Sequence, residues 1–294
     1  MSNDKEASFP DFIIAGAPKC GTTALYAILN QHPLISMSKV KEPVFFSRTP
    51  GVVKSNLAEY GPNLSGRFDY GMSWYSSLFE KGPNKIYGEA STLYFINDDS
   101  PKLIFDHAPK VKFIFMVRDP VERIYSHYWQ DMKLGFELPP FQEFVEMNHP
   151  KFRYYCNISH YKKNIDRFLE YFPRNQMLFL DLDSFKGDRL GTLNAVYQFL
   201  GLTPYHHHEV SKNFNKQYDI RWKGLVRAIH KLRDSDFRIY IPFALRQYVG
   251  KVFQILIKLN RKEASHGKID QSLKELLRPI FIEDTNFVNT ERQN

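Results

Sequence analysis

Lys19 lies inside the segment Gly16-Ala17-Pro18-Lys19-Cys20-Gly21-Thr22-Thr23, where two glycines are separated by four residues. That spacing lets backbone N–H groups turn inward around an anion, and a helix starting just after the second glycine adds the partial positive charge of its N-terminus. The chemistry implied is the holding of a phosphate. In the nucleoside-triphosphate version of such a loop the lysine follows the second glycine, whereas here Thr22 takes that position and Lys19 sits within the loop. Farther along, Arg118 closes an apolar run, and its planar fork is suited to bidentate phosphate contact. Ser126 follows eight residues later, about two helical turns on. Glu42, in Lys41-Glu42-Pro43, is a candidate general base, a role that needs its carboxylate within hydrogen-bond reach of the proton it takes.

These residues need elements to position them. Phe12 to Ala15 is a short apolar run ending at Gly16, followed by a helical pattern from Thr22 to Asn30 with Ala24, Leu25, Ile28 and Leu29 on its apolar side. Val111 to Val117 is apolar at nearly every position, as a strand buried on both faces should be, and Pro120 then suits a helix's first turn. Met177 to Leu182 is a third strand, between helical patterns at Tyr161 to Tyr171 and Leu190 to Leu200. Strands alternating with helices imply an α/β fold, a central parallel sheet of the P-loop type flanked by helices. Arg118 then stands at a strand's carboxyl end, where open parallel sheets bind ligands.

Thr49 to Lys85 is rich in Gly, Pro, Ser and Tyr without a sustained period. It is read as an excursion from the sheet, with Trp74 and Tyr75 as lining for an acceptor pocket. From Phe237 to Lys262 the chain is apolar and basic together, with Leu245, Val249, Val252, Phe253, Leu256 and Leu259 near one helical face. That pattern fits a helix packed on the core, or one touching a membrane surface or covering an acceptor. The expected organisation is a single domain, with a core over 11–225 holding the nucleotide site and a C-terminal helical region over 226–294.

With 294 residues, 43% of them hydrophobic, the chain can bury a full core. No window has the roughly 18 to 20 consecutive apolar residues of a membrane span, and MSNDKEASFPDF does not read as a signal peptide, so the expected compartment is the cytoplasm. Cys20 and Cys156 alone do not make a disulfide framework. Cys20, beside a helix N-terminus, is placed where a thiol pKa can be lowered. A net charge of +8 favours anionic ligands of many kinds. Nucleic acid is not the expected partner, because the basic residues are scattered without a recognition-helix or zinc-finger signature. His206, His207 and His208 are adjacent and lack metal-site spacing, so they read as loop and no metal is expected.

Pro18-Lys19-Cys20-Gly21-Thr22-Thr23, Lys41-Glu42-Pro43-Val44-Phe45-Phe46 and the block from Val117 to Tyr128 (VRDPVERIYSHY) occur in one order that resembles the sulfotransferases using 3′-phosphoadenosine 5′-phosphosulfate (PAPS). They are similar to the bacterial members and the heparan-sulfate branch, and the match runs over most of residues 11 to 225. The resemblance implies transfer of a sulfuryl group from PAPS to a hydroxyl or amine of a small-molecule or carbohydrate acceptor, without an obligatory metal. It implies that Lys19 touches the bridging and 5′-phosphate oxygens, with Cys20, Gly21, Thr22 and Thr23 completing the loop. Arg118 and Ser126 would hold the 3′-phosphate. Lys212 to Trp222 looks like the basic loop that closes over the nucleotide, so that Asn213, Lys216 and Arg221 match its recurring positions. Glu42 matches the base of the heparan-sulfate branch, with His32 and His127 as lesser candidates. Glu89 matches that branch's E-K-[ST]-P-x-Y segment only in part, because Ala90 replaces the lysine that lies on the glycan side of the site. An alternative remains: a P-loop kinase in which Asp119 or Asp181 holds magnesium.

Overall fold

The computed structural model describes residues 9–48, 66–134, 136–205, 218–222, 224–226, 228, 252, 256, 259–263 and 267–291. At its centre five parallel strands are ordered β2-β3-β1-β4-β5, with β1 spanning Phe12–Gly16, β2 Ile35–Met37, β3 Ile86–Ala90, β4 Lys112–Val117 and β5 Met177–Asp181. β1 lies between β3 and β4, with Ile14 opposite both Ala90 and Ile114. All five residues of β1 are buried, which explains an apolar run without alternation: helices cover both faces. This is the parallel sheet expected from the sequence.

The helices follow from local chemistry. Helix α1 (Thr22–Leu29) buries Ala24, Leu25, Ile28 and Leu29. After β3 comes α3 (Ser100–His107), the short α2 (Gly71–Ser77) having preceded that strand. Helix α4 (Pro120–Lys133) has Pro120 in its first turn and Asp119 as its N-cap, whose carboxylate accepts the Glu122 N–H at 2.9 Å. Then follow α5 (Phe141–Glu146), α6 (Pro150–Ser159), α7 (Tyr161–Leu169), α8 (Leu182–Gly187) and α9 (Arg189–Leu200). The sheet's aromatic and aliphatic core is joined by a second cluster in which Val121, Ile124 and Tyr128 of α4 meet Ile269, Leu277 and Phe281 near the C-terminus.

Three sequence expectations are corrected. The stretch read as an aperiodic excursion holds a 3-10 turn at Phe68–Tyr70 and α2, elements too short to show a period. Tyr75 on α2 does not line a pocket: it is 0% exposed and stacks on Phe45 with ring centroids 4.5 Å apart. The C-terminal region is not wholly helical, because β7 (Arg261–Glu263) pairs antiparallel with β6 (Tyr218–Ile220), so the apolar basic helix ends before Arg261. Of that helix Val252, Leu256 and Leu259 are exposed, and most of its other residues lie outside the described ones. Beyond β7 come α10 (Gln271–Leu277) and α11 (Ile282–Glu291).

Gly88 is required where β3 passes β1, since a Cβ there would lie 2.1 Å from the Phe12 ring. Gly88→Ala should therefore cost about 1 to 3 kcal/mol of unfolding free energy, the usual range for overpacking. Denaturant titration checks this, and a loss below about 0.5 kcal/mol would show that the ring has room to move.

Candidate functional site

The carboxyl ends of β3, β1 and β4 are adjacent, and from them emerge Thr92, the 17–21 loop and Arg118 respectively. The loop is tied to β4 by the Ala17 N–H donating to the Met116 carbonyl at 2.7 Å. Gly21 has φ of 90°, a left-handed conformation that glycine adopts without a Cβ penalty, and a Cβ would meet Leu182 at 2.7 Å. Its turn delivers Thr22 and Thr23 as the first residues of α1, where backbone N–H groups have no acceptor within the helix. Lys19 is also left-handed, with φ of 72°. Holding a non-glycine residue there is unfavourable and needs surrounding structure to impose it.

The Lys19 ammonium donates to Gln130 Oε1 of α4 at 3.1 Å. Burial, then the positive charges of Lys133, Arg118 and Arg123, lower its pKa to about 8, against a smaller opposing pull from Asp131. Arg123 is completely buried. Its Nε donates to Ser159 Oγ at 2.6 Å, Nη2 to the Tyr155 carbonyl at 2.5 Å and Nη1 to His127 Nδ1 at 3.2 Å. Arg118 donates from Nη2 to Glu122 Oε2 at 3.2 Å, while its Nε is buried with no acceptor among the described residues. Ser126, half-buried on α4, lies one turn before Gln130 on the same side of the helix.

Across the end of β1 is Glu42. Its N–H donates to the Ala90 carbonyl at 2.9 Å, and its carboxylate accepts the Thr92 N–H at 2.8 Å, the Thr92 hydroxyl at 3.1 Å and Lys41 Nζ at 2.6 Å. Both Glu42 and Val44 are left-handed, with φ of 59° and 49°. This turn is secured from beneath by Glu89, which is 0% exposed. Glu89 Oε1 accepts from Tyr75 and Tyr94, each at 2.8 Å, and Oε2 from Ser91 at 2.5 Å. Because those hydroxyls donate inward, their lone pairs accept outward: Ser91 takes the Val44 N–H at 2.9 Å and Tyr94 the Phe46 N–H at 3.1 Å. Burial raises the Glu89 pKa to about 7, with the three hydroxyls opposing and Glu42 adding to the rise.

The structure thus brings Lys19, Gly21, Thr22, Thr23, Arg118, Ser126 and Glu42 to one end of the sheet. Cys20 is corrected: it is 0% exposed, its thiol faces the Tyr161 hydroxyl at 3.7 Å, and its N–H is taken by the Ala17 carbonyl at 3.3 Å. Burial raises its pKa rather than the helix end lowering it. Arg221 is exposed beyond β6, with its N–H on the Asn260 carbonyl at 2.9 Å. Its side chain makes no hydrogen bond or ion pair with another described residue. Asn213, Lys216 and the three histidines at 206–208 lie outside the described residues. His32 is a buried structural group whose Nδ1 accepts the Leu34 N–H at 3.1 Å. His127 is kept neutral, its pKa pushed well below the ordinary value by burial and by Arg123, Lys19 and Lys151. The magnesium-holding alternative finds no support, for Asp119 and Asp181 are committed as the N-caps of α4 and α8. Among the described residues no cluster of three His, Cys, Asp or Glu could hold a metal, and no helix is long and apolar enough to cross a membrane. Gln130, Thr92 and Arg123 enter the site although the motifs did not single them out as ligands; the i, i+4 spacing of Ser126 and Gln130 was the available signal.

Comparison with known proteins gives one answer. The family described as Sulfotransferase domain matches residues 9–260. The mouse (Mus musculus) bifunctional heparan sulfate N-deacetylase/N-sulfotransferase 4 is 28% identical over 86% of this chain and 30% of its own length. The human (Homo sapiens) heparan sulfate glucosamine 3-O-sulfotransferase 3B1 is 30% identical over 69% of this chain and 48% of its own. The chain thus spans between about a third and a half of these relatives, at 30% and 48% of their lengths. Among solved structures, a sulfotransferase from Alicyclobacillus acidocaldarius superimposes with a TM-score of 0.57 at 26% identity, covering 70% of this chain and 86% of that one.

The Glu89 environment makes stability depend on pH. A carboxyl raised from 4.5 to about 7 binds its proton more tightly folded than unfolded, so the stability it contributes is full below pH 4.5 and is lost as pH climbs through about 7. That interval corresponds to roughly 3 kcal/mol. Glu89→Gln removes the titration, so its stability relative to wild type should improve by up to that amount between about pH 4.5 and pH 8. Denaturant curves at several pH values test this; parallel wild-type and variant profiles would sink the assignment.

Proposed function

Because the chain belongs to the sulfotransferase family, we propose that it transfers a sulfuryl group from PAPS to a hydroxyl or amine of a small-molecule or carbohydrate acceptor, releasing adenosine 3′,5′-bisphosphate (PAP). The observation that carries this reading is the position of Lys19, an ammonium held inside the anion loop at the end of β1, with Arg118 beyond one neighbouring strand and Glu42 beyond the other. The acceptor oxygen or nitrogen attacks sulfur, the bond from sulfur to the bridging phosphate oxygen breaks, and its electron pair stays on that oxygen. Negative charge therefore grows where Lys19 and the N–H groups of Gly21, Thr22 and Thr23 converge, and stabilising it there lowers the barrier. Lys19 exchanges Gln130 for that oxygen. Glu42 takes the acceptor's proton, held in place by Thr92. Arg118, whose Nε has no acceptor among the described residues, and Ser126 take the 3′-phosphate, with Arg221 as a further ligand. Cys20 contributes packing alone.

The names of the relatives favour a carbohydrate acceptor and allow both N- and O-transfer. Ala90 at the glycan-side position argues for a sugar other than a highly sulfated chain. We read the chain as one domain acting in the cytoplasm, a compartment consistent with the free thiols of Cys20 and Cys156. Contact of the 237–262 segment with a membrane surface is compatible with exposed Val252, Leu256 and Leu259.

Calorimetry should show PAP binding well above AMP without magnesium. Lys19 sits near pKa 8 in the free protein, and a bound anion raises it, so binding at pH 8 should take up about half a proton, falling toward zero at pH 6.5. Titration in buffers of different ionisation enthalpy measures this uptake, which Lys19→Met should abolish.

Glu42→Gln keeps shape but not basicity. PAP affinity should persist while turnover on a hydroxyl acceptor falls by about 10² to 10⁴. An acceptor screen with labelled PAPS supplies the substrate, and wild-type turnover by the variant would rule Glu42 out as the base.

A further inference from the structure

The last described segment reaches the nucleotide site although its helices lie beyond the residues, 9–260, that the family matches. Leu277 and Phe281, exposed by 1% and 0%, pack with Val121, Ile124 and Tyr128 of α4, and Ile269 joins the same cluster. One turn before Leu277, Lys274 therefore faces the start of α4. Its Nζ lies 3.1 Å from Glu122 Oε1 and 3.7 Å from Asp119 Oδ2. The other oxygen of Glu122 accepts from Arg118 at 3.2 Å. Glu122 is thus divided between two cations, one from the strand end and one from the C-terminal helix.

This arrangement matters for any phosphate that Arg118 holds. Asp119 and Glu122 are two carboxylates beside it, and Arg118 with Lys274 supplies two positive charges, so the group balances: two minus two. Without Lys274 it would carry one net negative charge facing a phosphate, and Glu122 Oε1, no longer held, would be free to join Oε2 on Arg118 and take the donors a phosphate needs. Lys274 holds Oε1, so Glu122 meets Arg118 through Oε2 alone. Lys274 is itself largely buried, its side chain 19% exposed, so its charge is screened less than that of a surface lysine.

We propose that Lys274 is a positioning residue for nucleotide selectivity: by holding one oxygen of Glu122 and offsetting Asp119 it leaves the remaining donors of Arg118, Nε among them, available to the 3′-phosphate. The inference rests on the reading of Arg118 as the 3′-phosphate ligand. It makes the C-terminal helix, beyond the residues 9–260 that the family matches, part of the donor site's specificity.

The test is the ratio of PAP to AMP affinity, measured by calorimetry on the full chain. Wild type should favour PAP. Lys274→Met, which keeps most of the stem that packs beside Leu277, should lower PAP affinity by about ten-fold or more, as expected for losing a charge-assisted contact, and leave AMP affinity unchanged. Lys274→Arg should restore the ratio. On a Glu122→Gln background, Lys274→Met should cost much less, because no carboxylate remains to be held.

A wild-type preference for PAP that survives Lys274→Met overturns this inference alone. Equal loss of PAP and AMP binding also overturns it, since that marks Lys274 as a general support of the fold. A full loss on the Glu122→Gln background overturns the relay through Glu122. Equal affinity of wild type for the two nucleotides overturns the reading of Arg118 and this inference with it.

Discussion

One buried cation held by neutral groups alone, Arg123, is the constraint on which this side of the sheet turns. Arg123 is completely buried, yet its guanidinium bonds to a hydroxyl, a carbonyl and a neutral imidazole. Asp131, a carboxylate that acts on Lys19, is already engaged by Lys151 at 2.7 Å and Tyr155 at 2.6 Å. The consequences spread outward. His127, stacked on Tyr155 with centroids 4.2 Å apart, stays neutral because burial disfavours its charged form and protonation would also place another charge against Arg123. Lys19 is lowered to about 8 by its own burial first and then by the positive charges of Lys133, Arg118 and Arg123. Buried cations paired with neutral groups are costly, and they persist where function has a use for the potential they create. A bound polyanion offsets that cost, which is why the loop's geometry and the charge beneath it have to be considered together.

The acceptor side is built on the opposite principle. Glu89 is a buried carboxylate that pairs with no cation among the described residues; three hydroxyls solvate it, and they in turn hold the amides of Val44 and Phe46. Each hydroxyl has one proton, so donating it inward fixes the direction in which its lone pairs point. This single orientation pins a turn whose Glu42 and Val44 occupy left-handed conformations that an isolated chain would avoid. Strain at the turn and satisfaction beneath it form one unit. The hydroxyl shell belongs to α2 and to the segment after β3, so Glu42 is placed by the sheet and its covering helix rather than by its own loop.

What the sequence revealed, and what it hid, follows from the range of the interactions. β1, β4 and β5 were legible because strands covered on both faces are apolar throughout. β3 was not, because Gly88 and Glu89 interrupt its apolar run, one to admit the Phe12 ring and the other to serve as the buried acceptor. β2 has only three residues, too few for a pattern. Lys19, Glu42 and Arg118 stood out because local loop chemistry marks them. Their partners did not: Gln130 is 111 residues from Lys19, Thr92 is 50 from Glu42, and Lys274 is 152 from Glu122. Cys20 shows the reverse failure. Local reasoning placed it at a positive helix end, but tertiary burial outweighed that field.

The two halves meet across the end of β1, and their polarity matches the reaction proposed for them. Toward β4 and α4 lie Lys19, Arg118 and Arg123; toward β3 lie Glu42 and, beneath it, Glu89. In sulfuryl transfer the leaving phosphate oxygen gains negative charge as the acceptor loses a proton. The first change is favoured on the cationic side and the second on the carboxylate side, so a donor and acceptor lying along this axis would have both charges moving down the fixed field. Reversing the substrate would set both against it. On the proposed reading the field selects the direction of binding as well as stabilising the transition state, and it is in place before either substrate arrives, because the groups that create it are buried or held by hydrogen bonds in the free protein.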